Sequence, residues 1–317
     1  MMTPQAATRG QEPISVLSPA HETATRFAPS PTGPLHLGHA YSALLAHDFA
    51  RERGGMFMLR IEDIDPGRAR PEHVDGIFED LGWLGLEWDC EVMFQSERLP
   101  AYQEALDRLR EQGLLYPCFC TRSEIAAEIA ASASAPHPVP GSVTGAPEGP
   151  VYPGTCRGLS HSERNRLLAE KPHAWRLDIG AALARAGDGL VWCDHGDEIA
   201  ADPQGFGDVV LARKDAPASY HLAVTVDDAV QGVTDVVRGK DLFASTHVHR
   251  LLQALLDLPV PHYHHHGLIA GADGQRLAKR HGAPTIADLR ASGANPAALV
   301  ESLRKGSLPS GYLQAEA

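Results

Sequence analysis

Near the start of the chain stands Arg26-Phe-Ala-Pro-Ser-Pro-Thr-Gly-Pro-Leu-His36-Leu-Gly38-His39, and near its end Arg276-Leu277-Ala278-Lys279-Arg280. The first reads as a short strand, Thr25 to Pro29, a Pro/Gly turn, and a helix opening near Leu37. A helix N-terminus offers unpaired N–H groups and a partial positive charge, which suits a phosphate. His36 and His39 are three apart, hence on one helical face, and can donate to phosphate oxygens as negative charge builds there. Gly38 between them lets a nucleotide approach the backbone closely. Gly271, Gly274 and Gly282 flank Lys279, giving a loop able to bring its ammonium over a triphosphate. The two stretches read as halves of one ATP site. His36, Gly38, His39 and Arg276, Leu277, Ala278, Lys279 and Arg280 form its ATP-binding set, and His36, His39 and Lys279 its catalytic groups. In-line phosphoryl transfer rests mainly on positioning and charge neutralisation.

Three further groupings stand out. Arg26 at a strand edge offers a planar fork that matches a carboxylate. Glu62, ending the second strand, can hold an ammonium, and Tyr220 and Arg238 flank a further strand pair and complete the pocket. Cys118-Phe-Cys120, with Tyr152 and Cys156 further on, supplies thiolates and an oxygen donor of the kind that closes a tetrahedral structural zinc site. The long gap from Cys120 to Tyr152 leaves His137 and His161 open as the fourth ligand. The other two of the five cysteines, Cys90 and Cys193, read as inert buried thiols. His262-Tyr-His-His-His266 alternates across a strand, so its imidazoles cannot all converge on one ion. It leads into the lysine loop, and one of its imidazoles is expected to reach the nucleotide.

The elements that must hold these groups are legible in part. Strand Thr25–Pro29, helix Leu37–Arg53 and strand Met56–Ile61 form a βαβ opening, with Ala40, Leu44, Phe49 and Ala50 near one helical face and Gly54-Gly55 as the stop. That alternation indicates a parallel nucleotide-binding sheet. Pro71–Leu86 and Ser96–Gln112 read as amphipathic helices, with Ser96 as an N-cap and Gly113 as a stop. Residues 131–150 contain five prolines and three glycines and read as an exposed, disordered loop. Strand-like patterning resumes at Val209–Arg213 and His221–Val226, expected to complete the nucleotide sheet. Helix Thr246–Leu256 follows, then a helical end.

Composition bounds the function. Hydrophobic content of 43% with 21% charged residues is ordinary for a globular enzyme, and no apolar run approaches the roughly 18 to 20 residues of a membrane span. Residues 1–23 lack an apolar core and a basic head and read as a disordered leader rather than a secretory signal. The cysteine pattern fits a reducing, cytoplasmic compartment. A net charge of −12 argues for a small nucleic-acid footprint, because extended grips on nucleic acid usually present a basic face.

With these motifs in view, the chain resembles the class I aminoacyl-tRNA synthetases of the glutamyl type, from about Arg26 to about Leu303. Within that group it looks like the short glutamyl-Q tRNA(Asp) synthetases. The resemblance is carried by Arg60-Ile-Glu62-Asp63-Ile-Asp65-Pro, Cys118-Phe-Cys120, Tyr220-His-Leu-Ala-Val-Thr-Val-Asp-Asp228, Gly232-Val-Thr-Asp-Val-Val-Arg238-Gly-Lys-Asp241 and the Arg276–Arg280 loop. It implies an α/β, Rossmann-like catalytic domain with an inserted zinc-containing subdomain and a short helical C-terminal part. The halves of the catalytic domain would be 24–116 and 206–262, the insert 117–205, and the lysine loop with a stem-contacting helical region 263–317. It implies glutamate-binding residues Arg26, Phe27, Ala28, Pro29, Ser30, Glu62, Tyr220 and Arg238, and supplies Tyr152 and Cys156 as zinc ligands beside Cys118 and Cys120. The implied reaction joins L-glutamate to ATP, with magnesium held mainly by the triphosphate, and passes the glutamyl group to queuosine in the anticodon loop of tRNA(Asp). A truncated glutamyl-tRNA synthetase and a non-catalytic tRNA- or glutamate-binding paralog are the rival readings. The chain ends at Ala317, which leaves no room after Arg280 for a long anticodon-reading region, and a monomer is expected. Asp227-Asp228 reads as support for the sheet end or as a contact to RNA. Two departures from the family stand out. The lysine loop has Arg276 and Ala278 where Lys and Ser are common, and Ser245-Thr246-His247-Val248-His249 replaces Ser-Thr-Pro-Arg-Gln.

Overall fold

Alternation of apolar runs with amphipathic stretches builds the chain as a series of strands and helices. The computed structural model describes residues 22–133, 151–271, 284–306 and 312–315. The leader up to residue 21, the proline-rich stretch 134–150 and the loop carrying Arg276 to Arg280 lie outside the described residues. The first part runs β1 (Ala24–Phe27), α1 (Leu37–Arg51), β2 (Met56–Ile61), α2 (Pro71–Trp83), β3 (Met93–Phe94), α3 (Leu99–Glu111) and β4 (Leu115–Cys118). Then come α4 (Arg122–Ala133), α5 (His161–Glu170), β5 (Ala174–Leu177), α6 (Ile179–Ala186), β6 (Val191–Asp194), β7 (Asp197–Ala200) and β8 (Val210–Ala212). The last part runs α7 (Tyr220–Val230), β9 (Asp235–Gly239), α8 (Ser245–Leu256), β10 (His262–His266), β11 (Leu268–Gly271), α9 (Ile286–Ala291), α10 (Pro296–Arg304) and β12 (Tyr312–Ala315).

The main sheet is parallel except at one edge. β1 pairs with β2 and β2 with β3; β9 pairs with β10 and β10 with β6, while β7 closes antiparallel on β6. Thr234 joins the two halves, its N–H donating to Ala24 O at 3.0 Å and its Oγ1 accepting from Ala24 N at 2.8 Å. The order β3-β2-β1, then β9-β10-β6-β7, reverses the direction of travel between β1 and β9. A parallel sheet leaves a crevice at the carboxyl ends of its strands where that reversal falls. One apolar core seats α1 on the β1–β2 side with α2, α9 and α10; another packs α3, α6, α7 and α8 together.

Several expectations need correcting. His221–Val226 is not a strand but lies within α7, where Leu222 through Ala229 are all buried. A short β-branched run buried on every side shows no helical period, so local propensity and tertiary packing disagree and packing decides. Val210–Ala212 is a strand, but it pairs antiparallel with β5 in a separate sheet, β4-β5-β8. β9 and β10 take the places expected for those two segments, and β6 and β7, from the stretch read as the insert, extend the main sheet. Ser96 does not cap α3. A 3₁₀ turn over Gln95–Arg98 intervenes, and Ser96 instead donates from N and Oγ to the Asp63 carboxylate at 2.8 and 2.7 Å. Cys90 is exposed and Cys193 half-buried, so neither is a buried thiol.

Candidate active site

The turn before α1 caps the helix with imidazoles. His36 takes the N-cap position in extended conformation; its Nδ1 accepts from Gly38 N at 3.1 Å, and its own N–H donates to His39 Nδ1 at 3.2 Å. The two rings stack with centroids 3.8 Å apart. Because both Nδ1 atoms accept, the neutral rings carry their proton on Nε2, the donor form a phosphate oxygen requires. Gly38 has a local reason to be glycine. A Cβ there would lie 3.0 Å from His36 Cε1 and 3.2 Å from its Nδ1, displacing the capping ring.

This helix start opens onto a cleft of about 400 Å³ at the carboxyl ends of β1 and β9, the switch point of the sheet. Arg26, Phe27, Ala28, Pro29, Ser30, His36, Gly38, His39, Glu62, Tyr220 and Arg238 all line it. The described residues read from the sequence as nucleotide- or glutamate-binding thus share one cavity. Of the histidine run, His266 lines the cleft. His265 lies buried, with Nδ1 2.9 Å from Asp194 Oδ1, while His264 meets Asp235 at 2.9 Å, which is the alternation a strand imposes.

Sequence reasoning undervalued what stands behind the cleft. Asp228 is buried and accepts from Arg26 Nε at 2.9 Å, Arg26 Nη2 at 3.3 Å and Arg60 Nη1 at 2.8 Å. Asp227 accepts from Arg98, Gln95 and Tyr102 at 2.7, 2.9 and 2.6 Å. The pair supports the sheet from within and, being buried, is not an RNA contact. Burial alone would raise Asp228, but the Arg26 and Arg60 guanidiniums outweigh it and hold its carboxyl below the usual range. Glu62 behaves oppositely. Burial pushes its carboxyl up to about 7, against the pull of Arg60, whose Nη2 is 3.8 Å away, and of Arg26. A half-ionised carboxyl facing the cleft is one that an incoming ammonium would drive to its charged form.

Arg238 is held on all sides. Its Nε donates to His265 Nε2 at 3.1 Å, Nη1 to Tyr220 Oη at 3.2 Å, and Nη2 to Leu242 O and Thr246 Oγ1 at 3.1 and 2.6 Å. Thr246, His249 and His265 are therefore pocket-shaping residues. The inward place of His265 on an alternating strand was the one signal in the sequence that could have found them.

Lys279 and its neighbours lie outside the described residues, but the chain on either side of them borders the same cleft. Leu268 and Ile269 of β11 line it. At the other flank Ile286 N donates to Leu35 O at 2.9 Å, and Thr285 bridges to His36.

Away from the cleft, the Cys118, Cys120 and Cys156 sulfurs lie within 4.8 Å of one another, a cluster that could hold zinc. Tyr152 Oη stands 3.4 Å from Cys118 Sγ and 3.6 Å from Cys120 Sγ, and Cys120 Sγ is 3.4 Å from Cys156 Sγ. Zinc–sulfur bonds of about 2.3 Å in a tetrahedron put sulfurs about 3.8 Å apart, so this donor set fits the ion. Burial raises the Cys118 thiol, but hydrogen bonds from Tyr152 and Arg176 outweigh it and lower its pKa; Cys120 is pushed up to about 12 by burial. His161 begins α5 and is not in the cluster; His137 lies outside the described residues.

A helix start capped by two imidazoles at the switch point of a parallel sheet, opening on a cleft lined by two guanidiniums and a carboxyl, is the arrangement of a Rossmann-like nucleotide-binding fold. Residues 22–313 match the family "tRNA synthetases class I (E and Q), catalytic domain", and the chain belongs to that family. It is 50% identical over 275 residues to the glutamyl-Q tRNA(Asp) synthetase of Rhodobacter capsulatus, covering 86% of this chain and 96% of that protein. To the protein of the same name from Symbiobacterium thermophilum it is 45% identical over 296 residues, 88% of this chain and 84% of the relative. Among solved structures, the glutamate-tRNA synthetase of Elizabethkingia anophelis superposes with a TM-score of 0.72 at 29% identity. That match covers 89% of this chain, which spans only 61% of the length of that synthetase. The chain is accordingly an aminoacyl-tRNA synthetase-family ligase of the glutamate–tRNA type, with ATP and magnesium as co-substrate. Among the described residues no helix is long and apolar enough to cross a membrane.

Proposed function

We propose that the protein activates L-glutamate with ATP and transfers the glutamyl group to queuosine in the anticodon loop of tRNA(Asp). The observation that carries the first half is the sharing of one cleft by the His36–His39 helix start, the Arg26 and Arg238 guanidiniums and Glu62. In this reading the ionised Glu62 takes the substrate's ammonium, and Arg26, pinned by Asp228, takes a carboxylate alongside Tyr220. Arg238, standing behind Tyr220, adds its positive charge to the same pocket. Phe27 through Ser30 form the wall on which the amino acid lies. The α-carboxylate oxygen attacks the α-phosphorus of ATP, the bond to the β-phosphate oxygen breaks, and pyrophosphate leaves. His36 and His39 donate from Nε2 to the phosphate oxygens, and Lys279, within Arg276–Arg280, neutralises the departing charge. Magnesium travels with the triphosphate. Zinc held by Cys118, Cys120, Cys156 and Tyr152 would be structural, since four protein ligands leave no open position. A monomer acting in the cytoplasm completes the reading.

The relatives named glutamyl-Q tRNA(Asp) synthetase, aligned over most of both chains, favour queuosine as the acceptor. Charging with radiolabelled glutamate followed by nuclease cleavage tests it. Label on the anticodon fragment of queuosine-containing tRNA(Asp) is expected. Label on the 3′ end of tRNA(Glu), with tRNA(Asp) untouched, would overturn it.

A further inference from the structure

Buried His249 on α8 and half-buried His221 on α7 stand directly behind the Tyr220–Arg238 wall and have no part in the chemistry above. A guanidinium has only N–H donors and no acceptor, so any imidazole nitrogen it faces in a hydrogen bond must be unprotonated. His249 Nδ1 lies 3.5 Å from Arg238 Nη1. The His249 proton therefore sits on Nε2, which is 3.2 Å from His221 Nδ1 and donates to it. On the other side of the guanidinium, His265 Nε2 accepts from Arg238 Nε, so Nδ1 carries the proton and donates to Asp194. The ring of His249 also packs edgewise on Tyr220, centroids 5.5 Å apart. Burial, with Arg238 adding to it, pushes His221 down to about 4 and His265 to about 3, and holds His249 well below its usual value. Both imidazoles against Arg238 are thus neutral acceptors.

We infer that His249, oriented by His221, is a positioning residue that fixes the Arg238 guanidinium and the Tyr220 ring for glutamate. The inference rests on the reading of Arg238 and Tyr220 as glutamate contacts. His249 touches no substrate and acts only by filling one acceptor position that keeps the fork from turning.

Glutamate-dependent pyrophosphate exchange on the full chain tests it with His249→Leu, His249→Gln and Arg238→Lys. Loss of one hydrogen bond to a charged group predicts that His249→Leu raises the glutamate KM about tenfold, leaves the ATP KM within about twofold, and that His249→Gln recovers most of the loss. Imidazole-selective ¹⁵N spectra of the unsubstituted protein, assigned by single replacements, are expected to show Nε2–H for His249 and His221 and Nδ1–H for His265. These spectra and the Gln variant decide the matter should the Leu variant fail to fold. A glutamate KM unmoved or lowered in a folded His249→Leu, a Gln variant no better than Leu, or an Nδ1–H tautomer at His249 would each overturn the inference alone. An unchanged glutamate KM in Arg238→Lys would instead bring down the pocket reading and the inference with it.

Discussion

The carboxylate of Asp228 is the hinge of the pocket's electrostatics. It stands between two guanidiniums, Arg60 with no exposed side chain and Arg26 with 5%, and gives each a contact of 2.9 Å or shorter. Asp228→Asn keeps the shape but removes the charge, leaving two buried cations facing each other with a neutral amide between. Breaking a buried ion pair from one side costs about 3–5 kcal/mol. An exposed helical pair such as Arg166–Glu170, at 61% and 50% exposure, is worth at most about 0.5 kcal/mol. Urea unfolding followed by the fluorescence of buried Trp192 should therefore show a large fall in midpoint for Asp228→Asn and almost none for Glu170→Gln. The folded-state pKa of Asp228 lies below its ordinary value of 3.8. Its stabilisation is therefore fully present above that pH and fades only as pH drops through the folded pKa. The penalty of the Asn variant should accordingly persist at neutral pH and shrink in strong acid. With Arg26 no longer pinned, the glutamate KM should rise as well. A stability loss under about 1 kcal/mol would mean that the two arginines do not depend on this carboxylate, and the account of the pocket floor would be wrong.

Glu62 makes a pH prediction of opposite sign. With its carboxyl near 7 in the empty cleft, binding an ammonium below that pH must expel a proton, so the glutamate KM should climb up to about tenfold per pH unit as pH falls. Because the folded pKa is raised, the unliganded fold should also lose stability as pH rises from 4.5 toward 7. Glu62→Gln should flatten the binding profile, and a parent profile already flat between pH 5 and 7 would count against the role. At the cysteine cluster, the purified chain is expected to carry about one zinc by elemental analysis, and Cys156→Ser or a strong chelator should release it and lower the unfolding temperature. A metal-free chain of undiminished stability would contradict the proposed site.

The sequence disclosed the His36–His39 end of the cleft because its chemistry is local. The His36–His39 pair, the glycine between them and the strand before them act within one turn, and spacing alone places them. β10 was legible for the same reason, its alternation surviving as His265 buried against Asp194 and His264 half-buried against Asp235 on the opposite face. What escaped was set by long-range packing. α7 looks like a strand because its residues are buried on every face, and Asp228 could be read as sheet support or as an RNA contact because its partners Arg26 and Arg60 lie 202 and 168 residues away. The clustering of Cys120 and Cys156 across 36 residues was legible in part from the thiol donors, and the family pattern supplied Tyr152 and Cys156 as the matching ligands.

Glutamate-dependent exchange of pyrophosphate into ATP, without RNA, tests the central claim most directly. The shared cleft predicts exchange with glutamate and none with glutamine, abolished by Lys279→Ala. No exchange by a folded, zinc-loaded chain, or exchange that survives loss of Lys279, would contradict it.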